Sequence, residues 1–290
     1  MVDARAQQGP DAAALARGVR RMAEAAAVPW LHAEVARRMA ERLALVRRTP
    51  QVVIDWWSHA GGGRSLLQQA YPKARVIAVE PEARLAVEQR RAGAARRWPW
   101  RRPPAAALAE QAVQPAQAQL LWSNMMLHHV RDPAAVLKRW QAALAVDGFL
   151  MFSTLGPGSL AGLRALYARL QWPPAHAPFI DMHDLGDAMV AAGFADPVMD
   201  QETLTLTWPD AAAMLAELRS LGGNAAPGRF AGLCTPRRHR QLQQELAQAL
   251  AGPEGRLRLE FEIVYGHAFK AAPRAKLTVH RRAGPAHDDR

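Results

Sequence analysis

The sequence has few of the features that mark extracellular or membrane-embedded proteins. It holds a single cysteine, Cys234, which excludes an intrachain disulfide and any paired-cysteine metal or redox motif. No apolar run approaches the ~20 residues of a membrane-spanning helix. The N-terminal residues also lack the apolar centre of a signal peptide. These absences predict a cytoplasmic protein with no membrane partner.

Lysine is scarce as well, because only four of the 37 basic residues are lysines. There are 26 acidic residues, and the formal net charge is +11. A basic surface attracts nucleic acid, anionic lipid or acidic proteins. An arginine- and alanine-rich chain is also what coding bias alone produces, so the charge does not by itself identify a partner.

Short apolar runs alternate with segments of helical periodicity along the first half of the chain. The runs 51–57, 75–80, 119–124 and 149–154 are typical of parallel strands buried on both faces. Two helices, broken near Pro29, precede them. The 290 residues are enough for one large domain, or one domain with an insertion. The sequence therefore predicts an α/β fold that becomes α+β after Thr154.

Candidate ligand-binding residues lie where the predicted parallel strands end, because ligands of open α/β sheets bind at that edge. Asp55 ends the first strand and is followed by the glycine turn 61–63. Glu80 ends the next strand, where an acid typically binds the two hydroxyls of a ribose. This combination favours a nucleoside-bearing cofactor.

From residue 119 onward the chain resembles the class I S-adenosylmethionine (SAM) methyltransferases. More narrowly, it resembles the malonyl-[acyl-carrier protein] O-methyltransferases of biotin synthesis. The likeness rests on LLWSNMMLHHVRDPAAVLKRW, DGFLMFSTLGPGSLAGLRALY, FIDMHDLGDAMVAAGFADPVMDQETLTLTW, LAELRSLGGN and FEIVYGHAFK. It implies a Rossmann-like class I methyltransferase sheet with helices on both faces and an α-helical insertion after strand five. It also implies methyl transfer from SAM to the free carboxylate of a malonyl thioester.

The resemblance also implies a division of the chain and a set of site residues. It suggests an N-terminal helical cap (1–48), a SAM-binding half (49–155), a substrate insertion with late elements (156–255) and a final strand with a basic tail (256–290). Cofactor contacts are expected from Asp55, Trp57, Gly61, Gly63, Glu80, Ser123 and Asn124. Catalytic roles are expected for His128 and Arg164, and carboxylate binding for Arg164, Arg219 and Arg229. Asp181, His183 and Asp184 lack a fourth ligand and indicate helix capping, so no metal is predicted.

The first glycine motif departs from the family pattern D-x-G-x-G-x-G, because Trp57 and His59 stand at two of its three glycines. Glycine there permits unusual dihedral angles and close approach of a ligand. The Trp57 indole either fills the room for the methionine part of SAM or packs as core, with 61–63 forming the cradle instead. No acidic motif is recognisable in 93–118, and Met22 stands near the family's usual tyrosine.

Three functions are compatible with these features. The first is a carboxyl methyltransferase whose substrate is carried by an acidic acyl-carrier protein or by coenzyme A. The second is a methyltransferase-like protein that no longer turns over SAM and serves in binding or as a scaffold. The third, nucleic-acid binding through the six arginines and two tryptophans of 90–102, is disfavoured. That segment also suits carrier docking or a solvated loop. We expect a monomer.

Overall fold

The computed structural model describes residues 9–95, 107–230, 232–233, 235–252 and 254–272. It begins with α1 (Ala12–Glu24) and α2 (Trp30–Leu43), on either side of the predicted break at Pro29. Helix α1 begins where the Asp11 carboxylate accepts a hydrogen bond from the Ala14 N–H at 2.7 Å. This N-cap satisfies one of the backbone donors that a helix start leaves free.

Seven strands form one sheet in the order β3-β2-β1-β4-β5-β7-β6. Their bounds are β1 (Val52–Trp56), β2 (Arg75–Glu80), β3 (Leu108–Ala109), β4 (Ala118–Ser123), β5 (Leu144–Leu155), β6 (Ala195–Trp208) and β7 (Leu257–Phe269). Strand β7 runs antiparallel to both of its neighbours, whereas the pairs among β1 to β5 are parallel. The predicted Rossmann-like sheet is confirmed.

Helices cover both faces of this sheet, as predicted. Beyond α1 and α2 they are α3 (Ser58–Gly61), α4 (Arg64–Ala70), α5 (Glu82–Ala95), α6 (Pro133–Ala143), α7 (Ala161–Arg169), α8 (Met182–Ala191), α9 (Ala211–Ser220) and α10 (Pro236–Ala249). One apolar core lies under α2, α7, α9 and α10, and the other under α1, α6 and α8. Helix α7 follows β5, and α9 and α10 lie between β6 and β7.

Several elements differ from the sequence-based prediction. Strand β5 begins earlier than the predicted run 149–154, because Ala118 of β4 pairs with Leu144. Pairing with the long β7 extends β6 back to Ala195. Strand β3 was missed, since two residues carry no detectable period. Residues 96–102 of the arginine-rich segment, Cys234 and 273–290 lie outside the described residues. Within the part of the chain that is described, no helix is long and apolar enough to cross a membrane.

Candidate active site

The carboxyl ends of β1, β2 and β4 meet at one edge of the sheet, because these strands are neighbours. Asp55, near the end of β1, is fully buried, and its Oδ2 accepts from the Ser58 hydroxyl at 2.5 Å. Burial raises the pKa of Asp55 to about 6. The other carboxylate oxygen of Asp55 has no hydrogen-bond partner among the described residues.

Trp57 leaves β1 in the left-handed region, with φ 57° and ψ 48°, which suits the glycine found there in the family pattern. Its backbone N–H donates to the Val79 carbonyl at 2.7 Å. The side chain turns inward and is only 5% exposed. The indole Nε1 donates to Glu110 Oε1 at 2.6 Å, and the ring lies nearly parallel to that of His129.

Glu80, at the end of β2, is 3% exposed and accepts a hydrogen bond from the His59 backbone N–H at 2.7 Å. Burial raises its pKa to about 8, with a further contribution from the nearby Asp55 and Glu88 carboxylates. The His59 ring contacts the segment after α1, and its Nε2 lies 3.0 Å from the Ala25 carbonyl oxygen. Glu80 therefore accepts from the backbone of His59, and the side chain of His59 contacts the segment after α1.

The glycines after β1 pack against other elements and do not form an open cradle. A Cβ at Gly61 would lie 3.3 Å from the Asn124 carbonyl oxygen, and one at Gly63 would collide with the Trp122 indole. The Asn124 amide donates to the carbonyls of Gly61 and His32 at 2.7 and 2.8 Å. These contacts give no support to the alternative in which 61–63 form the cradle instead. The hydroxyl of Ser123 is buried without a partner in the described structure.

Helix α1 closes this edge from outside. The Arg84 guanidinium donates to the Ala23 carbonyl at 2.9 Å, and Gly18 approaches the loop after α9 so closely that a Cβ there would lie 2.6 Å from the Gly222 oxygen. Between α1, Trp57, His59 and Glu80 a cavity of only about 10 Å³ is left. That volume holds about one water molecule.

A much larger cavity of about 390 Å³ lies on the other side of His129, enclosed mainly by α7, α9 and α10. Most of its wall is apolar, including Leu155, Leu163, Leu218, Leu242 and Phe261. His128, His129, Arg21 and Arg219 supply polar groups. A mainly apolar cavity with a few converging polar side chains is typical of a small-molecule site.

The two histidines after β4 are half-buried, and both have a lowered pKa, so neither ring is charged at neutral pH. Burial lowers the pKa of His129 to about 3 and holds that of His128 well below its usual range. His128 Nδ1 lies 3.1 Å from the Thr154 hydroxyl, which fixes the orientation of its ring. They can therefore shape the cavity and offer hydrogen bonds, but they do not supply positive charge there.

Only one of the three arginines predicted to bind the substrate lies on the wall of the large cavity. Arg219 lines the large cavity. Arg229 pairs with Asp11 at 3.1 Å. Arg164 is absent from the cavity wall and donates to the Pro157 carbonyl at 3.1 Å. The structure therefore brings His128 and Arg219 together, but not Arg164.

Sequence reasoning missed Arg21, which lines the cavity beside Arg219 and donates to the Gly222 carbonyl at 3.2 Å. Burial and the neighbouring Arg219 and Arg17 lower its pKa. Within the described ranges neither Arg21 nor Arg219 forms an ion pair. Glu110 was also missed, because the two-residue β3 that precedes it gives no detectable signal in the sequence.

The strand order, the reversed β7 and the site at the β1, β2 and β4 ends define a class I methyltransferase. Residues 30–196 match the family model of a methyltransferase domain. The fold is similar to YcgJ of Bacillus subtilis (TM-score 0.53, 13% identity, 83% of this chain and 99% of that one). It is also similar to the BH2331 protein of Bacillus halodurans (TM-score 0.52, 13% identity, 82% and 100%).

Among curated proteins, the chain is 38% identical over 260 residues to a malonyl-[acyl-carrier protein] O-methyltransferase of Laribacter hongkongensis, covering 85% of this chain and 86% of the relative. A protein of the same name from Halorhodospira halophila is 36% identical over 262 residues, with 87% of each chain covered. The chain belongs to the malonyl-[acyl-carrier protein] O-methyltransferase family. The predicted assignment to SAM-dependent methyltransferases is confirmed.

The cofactor that this family implies does not fit the cleft in the conformation described. A nucleoside needs a site of several hundred Å³, whereas about 10 Å³ is free beside Glu80. The space is taken by the Trp57 ring, and the backbone N–H of His59 already occupies one Glu80 oxygen. The Trp57 indole packs in an apolar core cluster at this edge of the sheet, as the second predicted arrangement requires. That it fills the room for the methionine part of SAM stays a prediction.

Proposed function

We propose that the protein methylates the free carboxylate of a malonyl thioester, the substrate class in the names of its relatives. The place of this reaction is biotin synthesis, as the sequence resemblance implies. The observation that carries this proposal is the 390 Å³ cavity beside the edge of the sheet where β1, β2 and β4 end. The Arg219 guanidinium lines this cavity and forms no ion pair with a described residue. A malonyl carboxylate is ionised near pH 7 and is itself the nucleophile. The neutral His128 and His129 suit such a reaction, because no strong base is needed.

Arg219 is the proposed ligand of the malonyl carboxylate, with Arg21 beside it. The planar guanidinium matches the two oxygens of a carboxylate. Arg21 donates hydrogen bonds to the backbone carbonyls of Arg219 and Gly222. These bonds hold the end of α9 and the loop after it against α1. The apolar wall would exclude water and restrict the thioester to a few orientations, which is how a positioned nucleophile gains reactivity.

A carrier protein is the proposed form in which the substrate arrives, rather than coenzyme A. The N-terminal turns of α10 carry Arg237, Arg238 and Arg240, none of which forms an ion pair with a described residue. His239 and Leu242 of the same helix line the cavity. A basic surface beside the cavity favours an acidic partner and fast association. That the protein is a monomer stays a prediction.

The closed cofactor cleft favours a second candidate, which is binding of the malonyl thioester without methyl transfer. The cavity and its arginines would then serve recognition alone. This candidate differs from the first in one measurable respect, because it predicts substrate binding with no methyl ester formed.

The test uses the full chain with SAM and three acyl donors: malonyl-carrier protein, malonyl-coenzyme A and acetyl-carrier protein. Mass spectrometry of the acyl group reads the methyl ester. We expect ester from malonyl-carrier protein, less from malonyl-coenzyme A and none from the acetyl control. Binding of malonyl-carrier protein without any ester would support the second candidate, and absence of both would remove the first and the second together.

A further inference from the structure

The Trp57 side chain spans the cofactor edge of the sheet from one strand end to another. It starts at the end of β1 and bonds Glu110, which directly follows β3. Strand β2 lies between β1 and β3. Since neighbouring strands are about 4.8 Å apart, this link reaches across ~10 Å. The indole therefore crosses the end of β2, where Glu80 lies.

The surroundings of the indole have the chemistry of a purine subsite. Indole and purine are both flat, two-ring groups that can present an N–H donor at the edge. Here the edge N–H donates to the Glu110 carboxylate at 2.6 Å, and the His129 ring lies 8° from parallel with the indole. Met22 of α1 packs in the same apolar cluster. A flat space, or slot, with a carboxylate at its edge and one parallel ring, whose centroid lies 6.4 Å from that of the indole, suits a nucleobase.

We infer that Trp57 occupies the base subsite of the cofactor cleft, so that a nucleoside binds only after the indole has left. The family fold is the basis of this inference, and the identity of the acyl substrate does not enter it. Any cofactor affinity is then reduced by the small fraction of molecules in which the indole is displaced. In such a protein Trp57 itself, rather than the acids around it, sets cofactor affinity.

The experiment is a calorimetric titration of the full chain with S-adenosylhomocysteine, the demethylated product of SAM, without any acyl substrate. Trp57→Gly restores the family residue and suits the left-handed backbone at that position. We expect this variant to bind about 100-fold more tightly than the wild type, whose indole must be expelled from a packed site. The product should also raise the melting temperature of the variant more than that of the wild type.

Two matched variants separate opening of the slot from other effects. His59→Gly restores the other family glycine, but its ring points to Ala25 and leaves the indole in place, so affinity should change less than threefold, within ~0.7 kcal/mol. Trp57→Phe keeps a ring in the slot and should also stay weak. Circular dichroism checks the fold, and Trp57→Leu, with a smaller expected gain, replaces the glycine variant if that one does not fold.

Tight binding of the product by the wild type, equal to that of Trp57→Gly, would overturn the inference. So would a folded Trp57→Gly that binds no better than the wild type. These titrations contain no malonyl thioester, and a wrong acyl substrate would leave them unchanged. Conversely, tighter binding of the product by Trp57→Gly says nothing about the acyl substrate. The mass-spectrometric assay identifies that substrate independently.

Discussion

The two compartments on either side of His129 differ in how the chain fills them. On the cofactor side, the polar groups of Trp57, His59 and Glu80 form hydrogen bonds with each other or with neighbouring residues, and a volume of about 10 Å³ remains free. On the other side, a cavity of about 390 Å³ contains Arg219 without an ion pair to any described residue. The same sheet edge therefore carries a packed core and an open site. Family membership alone does not determine which compartment is open.

The largest expected effect comes from filling the open compartment. Ala175→Trp places an indole in the cavity wall and should abolish binding of a malonyl thioester, as Trp57 does for the other side. Affinity for malonyl-carrier protein, measured by calorimetry, is the readout. Ala216→Trp, on the exposed face of α9, is the control and should bind normally. Normal binding by a folded Ala175→Trp would place the acyl site elsewhere.

The next effect concerns the charge in the open compartment. Arg219→Ala should weaken binding of the malonyl thioester by about 100-fold, since a hydrogen bond to a charged group contributes ~1.5–3 kcal/mol. Arg164→Ala removes a guanidinium that donates to a backbone carbonyl outside the cavity wall, and it should bind almost as the wild type does. Equal losses in both variants would show that general surface charge, and not the cavity, attracts the substrate.

The smallest expected effect tests the packed compartment through its pH dependence. The pKa of Glu80 is raised to about 8 in the folded protein, from about 4.5. Between these two pKa values the folded state holds a proton that the unfolded state has lost. The contribution of Glu80 to the free energy of unfolding is therefore complete below pH ~4.5 and falls as the pH rises to ~8. Glu80→Gln keeps an acceptor for the His59 N–H, has no proton to lose and should remove most of that fall.

Urea unfolding at pH 5.5, 7 and 8.5 measures this dependence, with Glu82→Gln in the first turn of α5 as the control. If Glu80→Gln and wild type lose stability equally between these pH values, Glu80 is ionised in the folded protein. That outcome would indicate a wetter, more open cleft than the packed one described above.

Much of the fold could be predicted from the sequence because its signals are local. The apolar runs before Asp55 and Glu80 identified β1 and β2, and the predicted helix capping is confirmed at Asp181, which caps α8. Strand β3 could not be found, because Leu108–Ala109 is too short to show a period and is defined only by pairing with β2.

The site was less predictable because its decisive contacts join distant parts of the chain. The Trp57 indole bonds a residue 53 positions away, and nothing near Trp57 in the sequence distinguishes that arrangement from a ring turned into the sheet. Arg21 reaches the cavity only because α1 packs against the loop after α9, 201 positions further on. Motif spacing located the correct edge of the sheet, but it does not report which side chains fill it.

Helix α1 contributes to both compartments: Leu15 and Arg21 line the open cavity, and Val19, Met22 and Ala23 line the small one beside Trp57. A ligand that shifts this helix on entering one side must change the wall of the other. The two binding equilibria are then linked. The linkage is reciprocal, so each ligand changes the affinity of the protein for the other by the same factor. Cofactor and acyl thioester would then be thermodynamically coupled ligands, each affecting the affinity of the other through one shared helix.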